Sequence, residues 1–121
     1  MRFLPHPHRD QLDLALVLEA LSDPTRLAIV ARLAEAKEER RCGTFIDLGS
    51  KSNLTYHFIK LRSAGMVRTR IGGTSRYISL RRADLDARFP GLLDTILAAA
   101  RKRAGAGEAQ KAAPRRRVGA R

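Results

Sequence analysis

Between residues 51 and 82 the chain carries eight basic side chains, Lys51, Lys60, Arg62, Arg68, Arg70, Arg76, Arg81 and Arg82, and no Asp or Glu. Such a run of cations without local counter-charge suits a polyanion, and the phosphates of a nucleic acid are the polyanion it would neutralise. Among the cations, at helical spacing, stand Ser52, Thr55 and Tyr56, whose hydroxyls can exchange hydrogen bonds with base edges. The bland alternative is a solvated face that keeps the chain soluble. Concentration of the charge over two adjoining segments that read as one DNA-binding unit favours function. Lys51, Arg62, Arg68, Arg70, Thr74 and Arg76 are therefore expected on the DNA backbone, with Ser52, Thr55 and Tyr56 on the bases.

Other chemistries find little support. No paired carboxylates, nucleophile with base, or phosphate loop can be picked out, so the chain does not read as an enzyme and no cofactor is implied. Cys42 is the single cysteine, which excludes an internal disulfide and any multi-cysteine zinc cluster within one chain. Its bland reading is a small, half-buried hydrophobe at a helix start. Its functional reading is a redox thiol, with Arg40, Arg41 and the helix N-terminus favouring thiolate. His6 and His8 form a weak two-imidazole set on a terminal arm and read as no metal site.

Length and composition bound the rest. A chain of 121 residues fits one domain, and 24 Lys+Arg against 12 Asp+Glu leaves a net charge of +12. No apolar run approaches the roughly 20 residues of a membrane helix, and Pro5, His6, Pro7 and His8 break any signal-like core, so a soluble, cytoplasmic protein is expected. A chain this small buries a limited fraction of its surface, and sharing a core in a dimer compensates.

The elements that must position the basic face follow from periodicity and caps. Leu14, Val17, Leu18 and Leu21 predict a first helix over about 10–21 behind an Asp10 cap. Asp23 and Pro24 mark the start of a second, burying Leu27, Val30, Leu33 and Ala34. A polar run over 35–41 precedes a short helix over 42–48, with Phe45 and Leu48 inward and Gly49 ending it. Ser50 caps the next helix, whose apolar stripe is Leu54, Phe58 and Leu61 and which stops at Gly65. Residues 67–71 and 74–80 read as a hairpin about a Gly72-Gly73 turn. This places Val67, Thr69, Ile71, Thr74, Arg76, Ile78 and Leu80 on one face and Arg68, Arg70, Ser75, Tyr77 and Ser79 on the other. Leu85 and Phe89 then lead to Pro90-Gly91 and a last helix bearing Leu92, Leu93, Ile96, Leu97 and Ala100. Arg26 is expected on a helix surface or between subunits, and Asn53 and His57 partly buried.

Three stretches, Leu18-Glu19-Ala20-Leu21-Ser22-Asp23-Pro24-Thr25-Arg26-Leu27, Ser50-Lys51-Ser52-Asn53-Leu54-Thr55-Tyr56-His57-Phe58 and Leu61-Arg62-Ser63-Ala64-Gly65-Met66-Val67, carry a resemblance to the ArsR-type winged helix-turn-helix repressors. The resemblance implies a mainly α fold with a β-hairpin wing and a homodimer formed through the first and last helices. Leu14, Val17, Leu18, Leu92, Leu93, Ile96 and Leu97 are the expected dimer residues. It also implies repression by occupying double-stranded operator DNA, with Ser52, Thr55 and Tyr56 at the reading positions. The metal-sensing members often carry Cys-x-Cys in the third helix, where this chain reads Arg41-Cys42-Gly43-Thr44, or His and acids on the last helix, where it has no histidine. No metal and no inducer are thus assigned. The expected organisation is a flexible arm over 1–9, a DNA-binding and dimerisation domain over 10–103, and a disordered basic tail over 104–121, whose charge offers either solvation or added attraction to DNA. A low-specificity architectural DNA-binding protein is the alternative.

Overall fold

The computed structural model describes residues 2–112, with side chains over 4–104. Its elements run β1 (Arg2–Phe3), α1 (Leu14–Ala20), α2 (Pro24–Ala36), β2 (Arg40–Arg41), a 3-10 segment (Cys42–Leu48), α3 (Lys51–Ser63), β3 (Val67–Gly72), β4 (Ser75–Leu80), α4 (Arg82–Arg88) and α5 (Leu92–Ala112). The strands form one antiparallel sheet in the order β1-β3-β4-β2. Ile29, Val30 and Leu33 of α2, Phe45, Leu61 of α3, Met66, Val67 and Ile78 are buried together, so helices and sheet share one core. A short helical segment, a turn, α3 and a β-hairpin in succession make a helix-turn-helix with a wing.

The caps explain where most helices begin. Asp23 accepts from the Thr25 and Arg26 amides at 2.8 and 3.1 Å, and Pro24 occupies the first helical position, where no donor is lost. Ser50 accepts from the Asn53 amide and opens α3. At the far end of α3, Gly65 has φ +82°, and a Cβ there would stand 2.0 Å from Leu12 Cδ2, so a side chain is excluded twice over. The first helix departs from expectation. Asp13 rather than Asp10 is its cap, accepting from the Leu16 amide, and residues 9–11 form a separate 3-10 turn.

Arg26 is the largest correction. It is neither a surface nor an intersubunit residue but 7% exposed, donating through Nε to the Ala20 carbonyl at 2.7 Å and through Nη1 to His57 Nδ1 at 3.1 Å. Because an arginine only donates, Nδ1 accepts and the ring proton sits on Nε2, 3.9 Å from Asp23 Oδ2. The Ser-Asp-Pro-Thr-Arg junction thus ties the end of α1, the start of α2 and the middle of α3 together.

The hairpin keeps its expected faces, except that the moved turn takes up Thr74. Ile71 pairs with Arg76 and Gly72 with Ser75, so Gly73 and Thr74 form the turn, with Gly73 at φ +63°. Relative to a Gly72-Gly73 turn, this displaces the register by an even step, and side-chain parity survives. Gly72 serves another purpose: a Cβ there would lie 3.0 Å from Arg70 Nη1 and 3.1 Å from Tyr77 Cε2, where the guanidinium stacks on the phenol ring.

The N-terminal segment is laid against the sheet instead of extending as a free arm. Arg2 and Phe3 pair with Ile71 and Arg70, His6 Nε2 accepts from the Thr69 amide at 2.9 Å, and the Pro7 carbonyl accepts from Arg81. Of the residues read as a basic tail, those as far as Ala112 continue α5, and 113–121 lie outside the described residues.

These contacts set a two-stage response to acid. Burial and the nearby Arg68 charge hold the His6 pKa below 6.5, so the neutral ring contributes stability in full above 6.5 and loses it as pH falls below that value. Partial burial pushes the Asp23 and Asp84 carboxyls up, but backbone amides at Asp23 and Arg9 and Arg81 at Asp84 outweigh it, and both end below 3.8. Their contribution is complete above 3.8 and lost as pH falls through their lower folded values. Thermal unfolding followed by circular dichroism should therefore show a shallow loss beginning below 6.5, absent in His6→Ala, and a steeper one below 3.8.

Candidate nucleic-acid interface

The helix that carries the expected base readers is held from both sides. Phe45 and Phe58 meet edge to face at 5.8 Å, joining the 3-10 segment to α3. Arg32 of α2 grips Asp47 through two bonds of 2.9 Å and lies over the Phe45 ring, which fixes the 3-10 segment against α2. With Leu54 and Leu61 buried beneath and His57 engaged by Arg26, one face of α3 has no freedom to rotate. The opposite face is left to solvent.

Ser52, Thr55 and Tyr56 all stand on that free face, with Tyr56 55% exposed. Thr55 donates its hydroxyl to the Lys51 carbonyl, which leaves the Oγ1 lone pairs as acceptors for an incoming base amine. Asn53, expected to be partly buried, is exposed, whereas His57 is half-buried and committed to Arg26. Periodicity also points to a residue missed in the sequence. Ile59 follows Ser52, Thr55 and Tyr56 in the i, i+3, i+4, i+7 pattern of one helix face and is 43% exposed.

The structure sorts the eight cations of the acid-free block, because acids from other parts of the chain reach several of them. Arg70 pairs with Glu39, Lys60 with Glu19, Arg68 and Arg81 with Asp84, and Arg82 with Asp86 and Asp94. Arg81 is buried besides, and Arg70 keeps only 16% of its side chain exposed. Lys51, Arg62 and Arg76 pair with no acid among the described residues. Those three, with Arg41, border an open cleft of about 840 Å³ between α3 and the hairpin, lined by no acid and reaching Thr74 at the wing tip. The expectation that Arg70 serves the DNA backbone is therefore at odds with its Glu39 partner, while Arg68 remains half-exposed 3.8 Å from Asp84. The pairing acids all lie outside the block, Glu19 and Glu39 well before it and Asp84, Asp86 and Asp94 just after it, so a run without acids in sequence is not without them in space.

Cys42 lies in the same cleft but lacks the setting of a reactive thiol. Burial pushes it up to about 11, against a weaker opposing pull from Arg76. The redox reading loses its premise, since a nucleophilic cysteine needs thiolate near neutral pH. Alkylation by iodoacetamide at about pH 8 should run roughly two orders of magnitude slower than for an unperturbed thiol. A rate matching free cysteine would contradict the burial argument.

The expected dimer residues divide as well. Val17, Leu93 and Leu97 are buried within one chain, where α5 packs on α2, and cannot supply free surface. Leu14 and Leu18 of α1 are each 46% exposed, and Leu92 and Ile96 are half-buried beside Val17 and Leu21 in a shallow apolar cleft.

Comparison with known proteins agrees with this architecture. Residues 21–70 match the family described as a helix-turn-helix domain. The chain is 35% identical over 99 residues to YceK, an uncharacterized HTH-type transcriptional regulator of Bacillus subtilis (strain 168), covering 78% of this chain and 96% of that protein. Among solved structures it is similar to HlyU from Vibrio cholerae N16961, with TM-score 0.53 and 26% identity over 61% of this chain and 80% of that one. An ArsR family transcriptional regulator shares the fold at TM-score 0.56 and 23% identity, over 68% and 90% of the two chains. Among the described residues no helix is long and apolar enough to cross a membrane.

Proposed function

This chain belongs to the helix-turn-helix transcriptional regulators, and we propose that it is a cytoplasmic repressor of the ArsR type that binds an inverted-repeat operator as a homodimer. The observation that carries the reading is the exposed Ser52, Thr55 and Tyr56 face of α3, flanked by Lys51, Arg62, Arg76 and Arg41, none of them answered by an acid within the cleft. The cations neutralise phosphates and set register, and the hydroxyls read base edges in the major groove. The chain acts by occupancy and not by turnover.

Leu14 and Leu18, continued by Leu92 and Ile96, form the self-complementary surface. Pairing of two chains there buries apolar side chains that one chain leaves in water. Two recognition helices related by the dimer axis then enter successive major grooves roughly 34 Å apart. Selection of random duplexes at physiological salt tests the reading. Enrichment of an inverted repeat with half-sites about one helical turn apart is expected. Tight binding without enrichment would instead mark an architectural protein that uses charge alone.

A further inference from the structure

Ile59 presents an apolar side chain at the centre of a polar, cationic face. Its position after Ser52, Thr55 and Tyr56 gives it the same helical direction, and it lines the α3–wing cleft beside Thr55 and Arg62. Ile46 of the 3-10 segment, 72% exposed, lines that cleft too. Leu54, Phe58 and Leu61 complete the inward stripe of α3, so Ile59 is not needed for the core. The cations around it select a polyanion as the occupant of this surface.

Resting on the operator-binding reading above, we propose that Ile59 is a specificity residue that reads the methyl group of thymine in each operator half-site. The argument is one of chemical elimination. An isoleucine has no donor or acceptor, so it can distinguish base pairs only by apolar contact. Among the groups that base pairs turn toward the major groove, the thymine C5 methyl is the apolar one. The other edges carry amines, carbonyls and ring nitrogens, whose hydration Ile59 would displace without replacing their hydrogen bonds. Thymine is therefore the base favoured opposite it. Thr55 and Tyr56, one turn earlier, supply the hydrogen-bonding part of the readout.

Uracil differs from thymine only by that methyl, which makes the test direct. In the duplex enriched by selection, each thymine of a half-site is replaced in turn by deoxyuridine, and affinity is measured for the unaltered protein and for Ile59→Ala and Ile59→Val. At one position per half-site the unaltered protein should lose about fourfold in affinity for each methyl removed, the value expected for uncovering one buried methyl-sized group. Ile59→Ala should bind the thymine and uracil duplexes equally, and Ile59→Val should keep a smaller preference. Unchanged helical circular dichroism in both variants is expected of an exposed site and confirms that they are folded. Indifference of the unaltered protein to every substitution overturns the proposal while leaving operator binding intact, as does full discrimination by Ile59→Ala. Failure of selection to enrich any duplex overturns the operator reading and this one with it.

Discussion

Replacing Arg26 by Ala should lower the unfolding free energy by about 3 kcal/mol and the melting temperature by roughly 10 to 20 °C. Arg26, itself 7% exposed, donates to the Ala20 carbonyl at 2.7 Å in a buried bond, and to the Glu19 carbonyl at 3.5 Å and His57 Nδ1 at 3.1 Å in part-buried ones. Truncation leaves the Ala20 carbonyl without that donor at the end of α1, removes the Arg26 partner of His57 Nδ1, and opens a void between three helices. Lysine cannot reproduce the fork, so Arg26→Lys should recover only part of the loss. Thermal melts of the two variants check this. Equal stability of Arg26→Ala and the unaltered chain would mean that the junction is held by its caps alone.

Tyr56→Ala should weaken binding to the preferred duplex by about 1 to 3 kcal/mol and blur sequence preference, while leaving affinity for scrambled DNA nearly unchanged. Thr55→Ala should act in the same direction. Arg76→Ala should behave differently, lowering affinity for all duplexes alike and reducing the slope of log affinity against log salt by about one. Arg70 is the informative contrast. Its guanidinium is held by Glu39 and stacked on Tyr77 with a centroid distance of 4.3 Å, so Arg70→Ala should disturb the wing and leave the salt slope much as it was. Anisotropy titrations at several salt concentrations separate these outcomes. If Tyr56→Ala and Arg76→Ala were indistinguishable, the division between reading and positioning would be wrong.

The elements with strong local signals were legible in the sequence. Asp23-Pro24, Ser50 and Gly65 mark helix ends because each satisfies, or dispenses with, a specific backbone group, and the structure uses all of them. The hairpin faces were legible for a different reason: an even displacement of register leaves inside and outside unchanged. What escaped was set by contacts distant in sequence. Asp10 and Asp13 offer equivalent caps three residues apart, and the choice falls to Asp13 as Leu12 is buried. The strands β1 and β2 span two residues each, too short for alternation to register. The end of α2 at Lys37, with φ 62°, carries no glycine to announce it. The face proposed to meet DNA shows the same split. Its hydroxyls follow from helical periodicity, but the pairing of Arg70 with Glu39 and of Arg68 with Asp84 requires the folded chain.

The central claim is that the free face of α3 reads DNA sequence and does not merely attract phosphate. Titration of the enriched duplex and of a scrambled duplex of equal length and composition, at physiological salt, measures this directly. The account predicts at least about a thousandfold tighter binding to the enriched duplex. Equal affinities for the two would contradict it and leave the cleft cations as the whole of the interaction.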